Sequence, residues 1–283
     1  MNNQEEKIFL ITGGTSGVGK AAALGLAQKG AKIVIISREH KAAENVLQEI
    51  ARRTGNNRGE YLIADLSLQS SVKNVATEFK RKYENLHVLV NCMGAIFNEE
   101  KMTSEGIERT FAVNYMSHFW LTTELLDVIK ASGASRILTV TGNPSFLKNA
   151  KLDFDDLQCV KNFSPLKATQ NAMYARLFFA FELAKRLEGT SVSSNAFNPG
   201  VIKSNLTANS PWYLKLLALL FKFSEKEVCD VTTYLSTSED VQGISGKFFQ
   251  HNRKIVGLEE TFNAQIGEAL WEGSKKLAFI STK

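Results

Sequence analysis

A short apolar segment that runs into a glycine-rich turn constrains this chain more than any other feature. Residues 7–20 have the sequence KIFLITGGTSGVGK. The first half is β-branched and aromatic without helical spacing, which is typical of a strand buried on both faces. Gly13, Gly17 and Gly19 then let the backbone approach a ligand where a Cβ would clash. A helix beginning near Ser16 directs its free N–H groups at the same space, so the segment predicts a pyrophosphate site.

The composition predicts one globular domain over residues 1–283. Of these residues 44% are hydrophobic and 22% are charged, and no proline- or serine-rich linker divides the chain. The net charge of +5 is spread thinly, which gives little support for nucleic-acid binding. Cys92, Cys159 and Cys229 are isolated in the sequence, so neither a metal site nor a disulfide framework is predicted.

One stretch bears on localisation. The chain begins with polar residues and has no apolar span long enough to cross a membrane, which predicts a cytoplasmic protein. Residues 210–223, SPWYLKLLALLFKF, form the most apolar amphipathic stretch. This stretch is either a helix over an apolar pocket or a membrane-surface helix, with Trp212 and Tyr213 at the interface and Lys215 and Lys222 reaching the head groups.

After the glycine-rich turn, strand-like and helix-like segments alternate, which predicts an α/β fold with a doubly wound parallel sheet. Arg38 closes the second predicted strand, and His40 and Lys41 follow it. Dinucleotide-binding folds place an acidic residue here for a ribose 2′-hydroxyl, or an arginine for a 2′-phosphate. Arg38 therefore favours NADP(H) over NAD(H); the alternative is a solvated cation at a strand end.

Two later strand ends also carry predicted cofactor contacts. Asp65 and Leu66 end the third strand, where a carboxylate and a leucine are placed to contact an adenine. Alternatively, Asp65 caps the next helix together with Ser67. Asn91 and Gly94 lie at the tip of the fourth strand, where a small residue leaves room for the cofactor.

Seven motifs spread over nearly the whole chain carry a family resemblance: TGGTSGVG, NCMG, FAVNYMSHF, LDFDDLQ, ELAKRL, NPGVIKSNL and LWEGSKKL. The chain resembles the short-chain dehydrogenase/reductase family, most closely its retinol dehydrogenase-like group. The resemblance implies one Rossmann-type domain of about seven strands in the order 3-2-1-4-5-6-7, with a substrate pocket over the carboxyl edge. It also implies a substrate lid at about residues 205–228.

The resemblance completes the predicted cofactor site. It places Ile202 for a backbone bond to the nicotinamide carboxamide and Ser204 for a side-chain bond. The predicted cofactor-binding residues are Gly13, Thr15, Ser16, Gly17, Val18, Gly19, Arg38, Asp65, Leu66, Asn91, Gly94, Pro199, Gly200, Ile202 and Ser204.

The family's catalytic residues are mostly replaced. The family uses a serine after the fifth strand, a YxxxK pair on the following helix and an asparagine on the helix before. Because ELAKRL runs ungapped into NPGVIKSNL, the register is fixed and Thr169 stands at the tyrosine position, Met173 at the lysine position and Gly142 at the serine position. Only Asn114 remains, and neither threonine nor methionine titrates near neutral pH.

Few nearby residues could substitute for the missing groups. Tyr174 follows Thr169 by five residues, which turns a helix about 140° away from the original direction, so Tyr174 should face elsewhere. Asn114 has either a catalytic role or a structural one, bridging backbone groups across a local helix distortion. The candidate catalytic residues are Asn114, Ser145 and Thr169, and the loop lysines that could reach the pocket are Lys148, Lys151 and Lys167.

Three function classes remain. The first is a reductase of unusual chemistry, for example one that acts on a cationic iminium acceptor and needs no proton donor. The second is a redox-neutral cyclase or isomerase that orients an apolar substrate. The third is a non-catalytic NADP-binding partner or sensor. An enzyme acting on an apolar small molecule is favoured, because the replacements remove hydrogen-bond donors and titrating groups whereas the cofactor motifs are intact.

The resemblance also implies a homodimer. The helix bearing Asn114 and the helix over residues 165–187 would pack against their copies in a second chain. Leu177, Phe178, Phe179 and Phe181 give the latter helix apolar surface, and some of these side chains must face the sheet.

Overall fold

The computed structural model describes residues 7–203, 227–258 and 262–280. Within these residues the strands are β1 Ile8–Thr12, β2 Lys32–Ser37, β3 Glu60–Ile63, β4 Val88–Asn91, β5 Arg136–Val140, β6 Ser193–Phe197, β7 Phe248–Phe249 and β8 Ile255–Val256. They form one sheet in the order β3-β2-β1-β4-β5-β6-β7-β8. All neighbouring pairs are parallel except β7 and β8, which are antiparallel.

The helices cover both faces of the sheet. They are α1 Gly17–Ala27, α2 His40–Thr54, α3 Gln69–Lys82, α4 Arg109–Phe111, α5 Ser117–Ala131, α6 Pro144–Leu147, α7 Pro165–Arg186, α8 Asp230–Thr237 and α9 Ala264–Ile280. A π turn, Ala112–Met116, joins α4 to α5, and 3₁₀ turns lie at Phe154–Asp156 and Glu239–Val241.

Alternate strand residues face two apolar layers. In β1, Leu10 packs in the layer under α3, α5 and α7, whereas Phe9 and Ile11 pack in the layer under α1, α2 and α8. All three side chains are fully buried. This burial on both faces explains why the strand sequence is apolar throughout and shows no alternation.

The predicted doubly wound sheet and the strand order 3-2-1-4-5-6-7 are confirmed. The eighth strand was not predicted, because its two residues follow a turn, with Arg253 at φ +68°, and are too few to show a periodic pattern. The predicted lid at about 205–228 and the amphipathic stretch at 210–223 lie largely or wholly outside the described residues. Among the described helices, none is long and apolar enough to cross a membrane.

The sheet order locates the ligand crevice. Strand β1 pairs with β2 on one side and β4 on the other, so the winding direction reverses at β1. Ligands of open α/β sheets bind beyond the carboxyl ends of the strands at this reversal. A Cβ at Gly19 would clash with the carbonyl oxygen of Gly13, so glycine there lets α1 pack directly against the turn that follows β1.

Helix α9 covers part of α5 and α7 within the same chain. The ring of Trp271 stacks on Phe179 at a centroid distance of 6.1 Å and meets the edge of Phe119 at 5.1 Å. The Tyr115 hydroxyl and Ser274 Oγ are hydrogen-bonded at 2.7 Å. The C-terminal helix is thus fixed by aromatic packing and a buried hydrogen bond.

This packing corrects one detail of the dimer prediction. The four α7 side chains expected at an interface, Leu177, Phe178, Phe179 and Phe181, are at most 5% exposed within a single chain. The expectation that they present apolar surface to a second copy is wrong, because the sheet and the C-terminal part of the chain cover them. The homodimer itself stays a prediction.

Candidate functional site

A cavity of about 850 Å³ lies at the carboxyl edge of the sheet. Most of the predicted cofactor-binding residues line it. These are Gly13, Thr15, Ser16, Gly17, Val18, Arg38, Leu66, Gly94, Pro199, Gly200 and Ile202. Segments from five strand ends, those of β1, β2, β3, β4 and β6, thus meet at one site.

The glycine-rich turn has the geometry of an anion site. Gly13 and Gly17 have φ values of +64° and +52°, which an L side chain rarely adopts. Ser16 precedes α1 without capping it by a side-chain hydrogen bond. The first N–H groups of α1 thus face the cavity beside a helix end of positive potential, an arrangement that suits phosphate oxygens.

Arg38 and Asp65 lie at the other side of this turn. Arg38 lines both the larger cavity and an adjoining one of about 620 Å³, and Asp65 lines the adjoining one. Asp65 Oδ1 accepts hydrogen bonds from the Ser67 backbone N–H at 2.9 Å and from Ser67 Oγ at 2.7 Å. These bonds form a local turn and do not cap α3, because the first N–H groups of that helix, those of Gln69 and Ser70, donate to Glu105. The Asp65 carboxylate lies at the surface of the adjoining cavity.

Besides Asp65, two predicted cofactor residues, Gly19 and Asn91, are not part of the described wall of the larger cavity. Gly19 lies in α1, where the lack of a side chain lets the helix pack against the turn at Gly13. Asn91 is fully buried, and its Nδ2 donates to Thr122 Oγ1 at 3.0 Å, so its side chain points into the core. The side chain of Asn91 thus faces α5 rather than the cavity, and its assignment as a cofactor contact stays a prediction. Ser204 lies outside the described residues.

The three positions that the resemblance assigns to the family's serine, tyrosine and lysine all line the cavity: Gly142, Thr169 and Met173. Thr169 Oγ1 donates to the Pro165 carbonyl at 2.7 Å, so its proton is engaged by the backbone of α7. A Cβ at Gly142 would lie 2.8 Å from Met173 Sδ. Met173 thus occupies the space that a residue with a side chain at position 142 would need, and the two replacements are complementary.

Ser145, Tyr174 and the loop lysines are not part of the described cavity wall. Ser145 is exposed, and its Oγ donates to Asn143 Oδ1 in the cap of α6, so the structure does not support it as a catalytic candidate. The Tyr174 hydroxyl accepts a hydrogen bond from Gln170 Nε2, and its ring packs on the apolar core. Its predicted orientation away from the site is confirmed. The loop lysines Lys148, Lys151 and Lys167 are exposed.

Asn114 lies in the middle of the π turn Ala112–Met116. Its Nδ2 donates to the carbonyls of Ala95 at 2.8 Å and Thr110 at 2.9 Å, and its Oδ1 accepts from the Ala95 backbone N–H at 2.9 Å. The amide bridges backbone groups across a helix distortion, which is the structural role predicted as one alternative. Asn114 also lines the cavity.

Arg176 is the residue of this site that the sequence did not reveal. It is 6% exposed and lines the cavity one turn beyond Met173. Its guanidinium donates to the Asn114 carbonyl, to Asn114 Oδ1 at 2.9 Å, to the Met93 carbonyl at 2.9 Å and to the Val140 carbonyl at 3.4 Å. Burial lowers the pKa of Arg176 to about 10, so the side chain remains cationic at neutral pH. An arginine within the apolar stretch ARLFFAF was the available signal.

His118 shares an acceptor with Arg176. Its Nε2 donates to the Met93 carbonyl at 2.9 Å, and the ring is fully buried. Burial, and then the charge of Arg176, hold the pKa of His118 well below its ordinary value, so the imidazole is neutral. Among the described residues, no group of three His, Cys, Asp or Glu side chains is arranged to hold a metal ion.

The sheet order and the glycine-rich turn at its reversal define a doubly wound dinucleotide-binding protein. Residues 7–153 match the family model of the short chain dehydrogenases. The chain is 30% identical to human polyprenol dehydrogenase over 286 residues, which cover 97% of this chain and 86% of that protein. It is 32% identical to mouse retinol dehydrogenase 12 over 276 residues, covering 97% and 87% respectively.

A solved structure of an uncharacterised protein from Mycobacterium paratuberculosis has the same fold. It matches with a TM-score of 0.73 and 24% identity over 96% of this chain and 93% of that chain. The chain therefore belongs to the short-chain dehydrogenase/reductase family, with retinol dehydrogenase-like relatives.

The contact between positions 142 and 173 gives a testable coupling. Gly142→Ser alone should lower the free energy of unfolding by about 1–3 kcal/mol, because the new side chain overlaps Met173. In a Met173→Ala background, Gly142→Ser should lower the free energy of unfolding by about 1 kcal/mol less, because the space beside position 142 is then free. Urea unfolding of the four proteins of this cycle measures the coupling. Equal costs in both backgrounds would show that the two side chains do not compete for space.

Proposed function

We propose that this protein binds NADP(H) in the 850 Å³ cavity and acts on an apolar small molecule without the family's Ser–Tyr–Lys proton relay. The observation that carries this proposal is the division of one cavity into two unlike parts. Its glycine-rich end has the geometry for a pyrophosphate. Its other end carries Gly142, Thr169 and Met173, where the family has a serine, a tyrosine and a lysine.

The dinucleotide fits the residues of the first part. Gly13 and Gly17 have positive φ values, and uncapped α1 N–H groups face the cavity, so the backbone leaves space and donors for phosphate oxygens. Arg38 supplies a cation beside Asp65, where a 2′-phosphate is accommodated in folds of this type. When bound, NADPH supplies a hydride.

The second part of the cavity limits the supply of a proton to the substrate. Reduction of a ketone needs a proton on oxygen, and the loss of a general acid costs about 10²- to 10⁴-fold in rate. Within the described cavity wall there is no tyrosine or lysine, and the Thr169 proton is bonded to the Pro165 carbonyl. The site is therefore suited to a reductase of non-standard mechanism or to a redox-neutral cyclase or isomerase.

An apolar substrate is supported by two observations. Met173, Val140 and Ile202 give the cavity apolar side chains close to Gly142. The relatives at 30–32% identity are named for polyprenol and retinol, which are long apolar alcohols. The alternative is a non-catalytic NADP-binding partner or sensor. The simultaneous absence of three reacting groups favours this alternative.

The cofactor assignment predicts a preference for NADPH over NADH. Calorimetric titration should give a Kd for NADPH at least about tenfold lower than for NADH, since Arg38 would contact the 2′-phosphate. Arg38→Ser should remove most of this difference, whereas Arg52→Ser, at an exposed position on α2 outside the cavity wall, should leave it unchanged. Comparable millimolar affinities for both dinucleotides would refute the assignment.

The mechanism is tested by restoring the missing groups. The triple variant Gly142→Ser, Thr169→Tyr, Met173→Lys should oxidise NADPH with a panel of aldehydes and ketones, retinal included, at least about 10²-fold faster than the unaltered protein. Absorbance at the NADPH band monitors the reaction, and binding of NADPH to both proteins is the control for folding. If the unaltered protein is as fast as the variant, another group supplies the proton, and His251, which lines the cavity beside Gly200, is the first to replace.

A further inference from the structure

Two arginines line the cavity at opposite ends. Arg38 directly follows β2, at the end of the cavity assigned to the adenosine 2′-phosphate. Arg176 lies with Gly142 and Met173, the positions that the family uses around the nicotinamide. A fixed positive charge near the nicotinamide acts on a ring whose own charge changes with its redox state.

The charge of Arg176 is not cancelled by a nearby carboxylate. Its four hydrogen-bond acceptors are carbonyl oxygens of Met93, Asn114 and Val140, and it forms no ion pair with any described residue. Carbonyl dipoles solvate a cation without neutralising it, so its field extends into the cavity.

The other titratable groups around Arg176 do not compensate it. His118, which shares the Met93 carbonyl, has a pKa far below neutrality and is uncharged. Burial raises the pKa of the Cys92 thiol, so this side chain is also neutral. Asp230 is the carboxylate among the described residues that line this cavity, and none of the hydrogen bonds of Arg176 goes to it.

We propose that Arg176 is the cation of the nicotinamide end, in place of the lysine that position 173 lacks, and that it makes the site selective for the reduced dinucleotide. This inference rests on the proposed binding of NADP(H). The oxidised nicotinamide ring carries a positive charge and the reduced ring is neutral, while the phosphate charges are the same in both. A buried like charge therefore disfavours NADP⁺ relative to NADPH.

The selectivity has a consequence for the substrate class. At separations of several ångströms and an effective dielectric constant of about 20, two unit charges shift an equilibrium by about tenfold or more. The same repulsion acts on an iminium acceptor, so Arg176 disfavours that form of the reductase hypothesis. A neutral carbonyl or enone, whose oxygen becomes negative on hydride addition, is favoured instead.

Calorimetric titration of NADPH, NADP⁺ and adenosine 2′,5′-bisphosphate tests the proposal. The unaltered protein should bind NADPH at least about tenfold more tightly than NADP⁺. Arg176→Met should reduce this ratio by about tenfold, and Arg176→Lys, which keeps the charge, should retain most of it. Adenosine 2′,5′-bisphosphate has no nicotinamide, so its affinity should be the same in all three proteins.

Arg136→Met is the matched control. Arg136 is also partly buried and donates to backbone carbonyls, those of Leu235 and Ser238 at 2.8 Å each, but it begins β5 at the opposite edge of the sheet. Its substitution should leave the NADPH to NADP⁺ ratio unchanged.

The outcomes separate this inference from the function on which it rests. Equal affinities of the unaltered protein for NADPH and NADP⁺ would overturn the inference and leave the cofactor assignment in place. An unchanged NADPH to NADP⁺ affinity ratio in Arg176→Met would also overturn the inference and leave the cofactor assignment in place. Failure to bind NADPH or adenosine 2′,5′-bisphosphate at all would overturn both. If Arg176→Met does not fold, the inference is tested by two other measurements. These are the NADPH to NADP⁺ affinity ratio of the unaltered protein and the retention of that ratio in Arg176→Lys.

Discussion

The buried guanidinium of Arg176 holds together the segments that form one end of the cavity. It joins the end of β4 through Met93, the π turn through Asn114 and the end of β5 through Val140. A buried cation is tolerated only when its N–H groups are hydrogen-bonded. Gly94 belongs to this arrangement, because a Cβ there would lie 2.9 Å from Arg176 Nη2. The positions of these three segments, and hence the shape of the cavity, depend on this set of bonds.

The two ends of the cavity are built in different ways. At the glycine-rich turn, backbone geometry alone supplies the donors, so it persists independently of the side chains at the other end. At the other end, Met173 fills the space that Gly142 leaves, and Arg176 supplies the positive charge. Under the proposed function, this packed, cationic surface lies where the family has its proton relay.

The sequence predicted features that depend on local spacing. The glycine-rich turn, the place of Arg38 at a strand end and the orientation of Tyr174 follow from motifs or helix periodicity, whereas the strand order was implied by the family resemblance. It did not predict contacts between distant segments, such as the bonds of Arg176 to Asn114, 62 residues away, or the packing of α9 on α7. The direction of the Asn91 side chain was not predicted because it depends on Thr122, which is 31 residues away. That of Ser145 was not predicted because this residue lies in the short helix α6 and bonds to its cap, Asn143. The structural alternative for Asn114 was predictable, because a side-chain amide within a helix can bond to the backbone of the preceding turn, here the Thr110 carbonyl.

The proposed function depends on a dinucleotide site beside a described cavity wall that contains no tyrosine or lysine. A crystal structure of the NADPH complex with a retinal analogue tests it most directly. We expect the pyrophosphate on the Gly13–Gly17 turn, Arg176 bonded to Met93, Asn114 and Val140, and no tyrosine, lysine or histidine side chain within about 3.2 Å of the carbonyl oxygen. A side chain of Tyr174, Lys148, Lys151, Lys167 or His251 hydrogen-bonded to that oxygen would contradict the proposal.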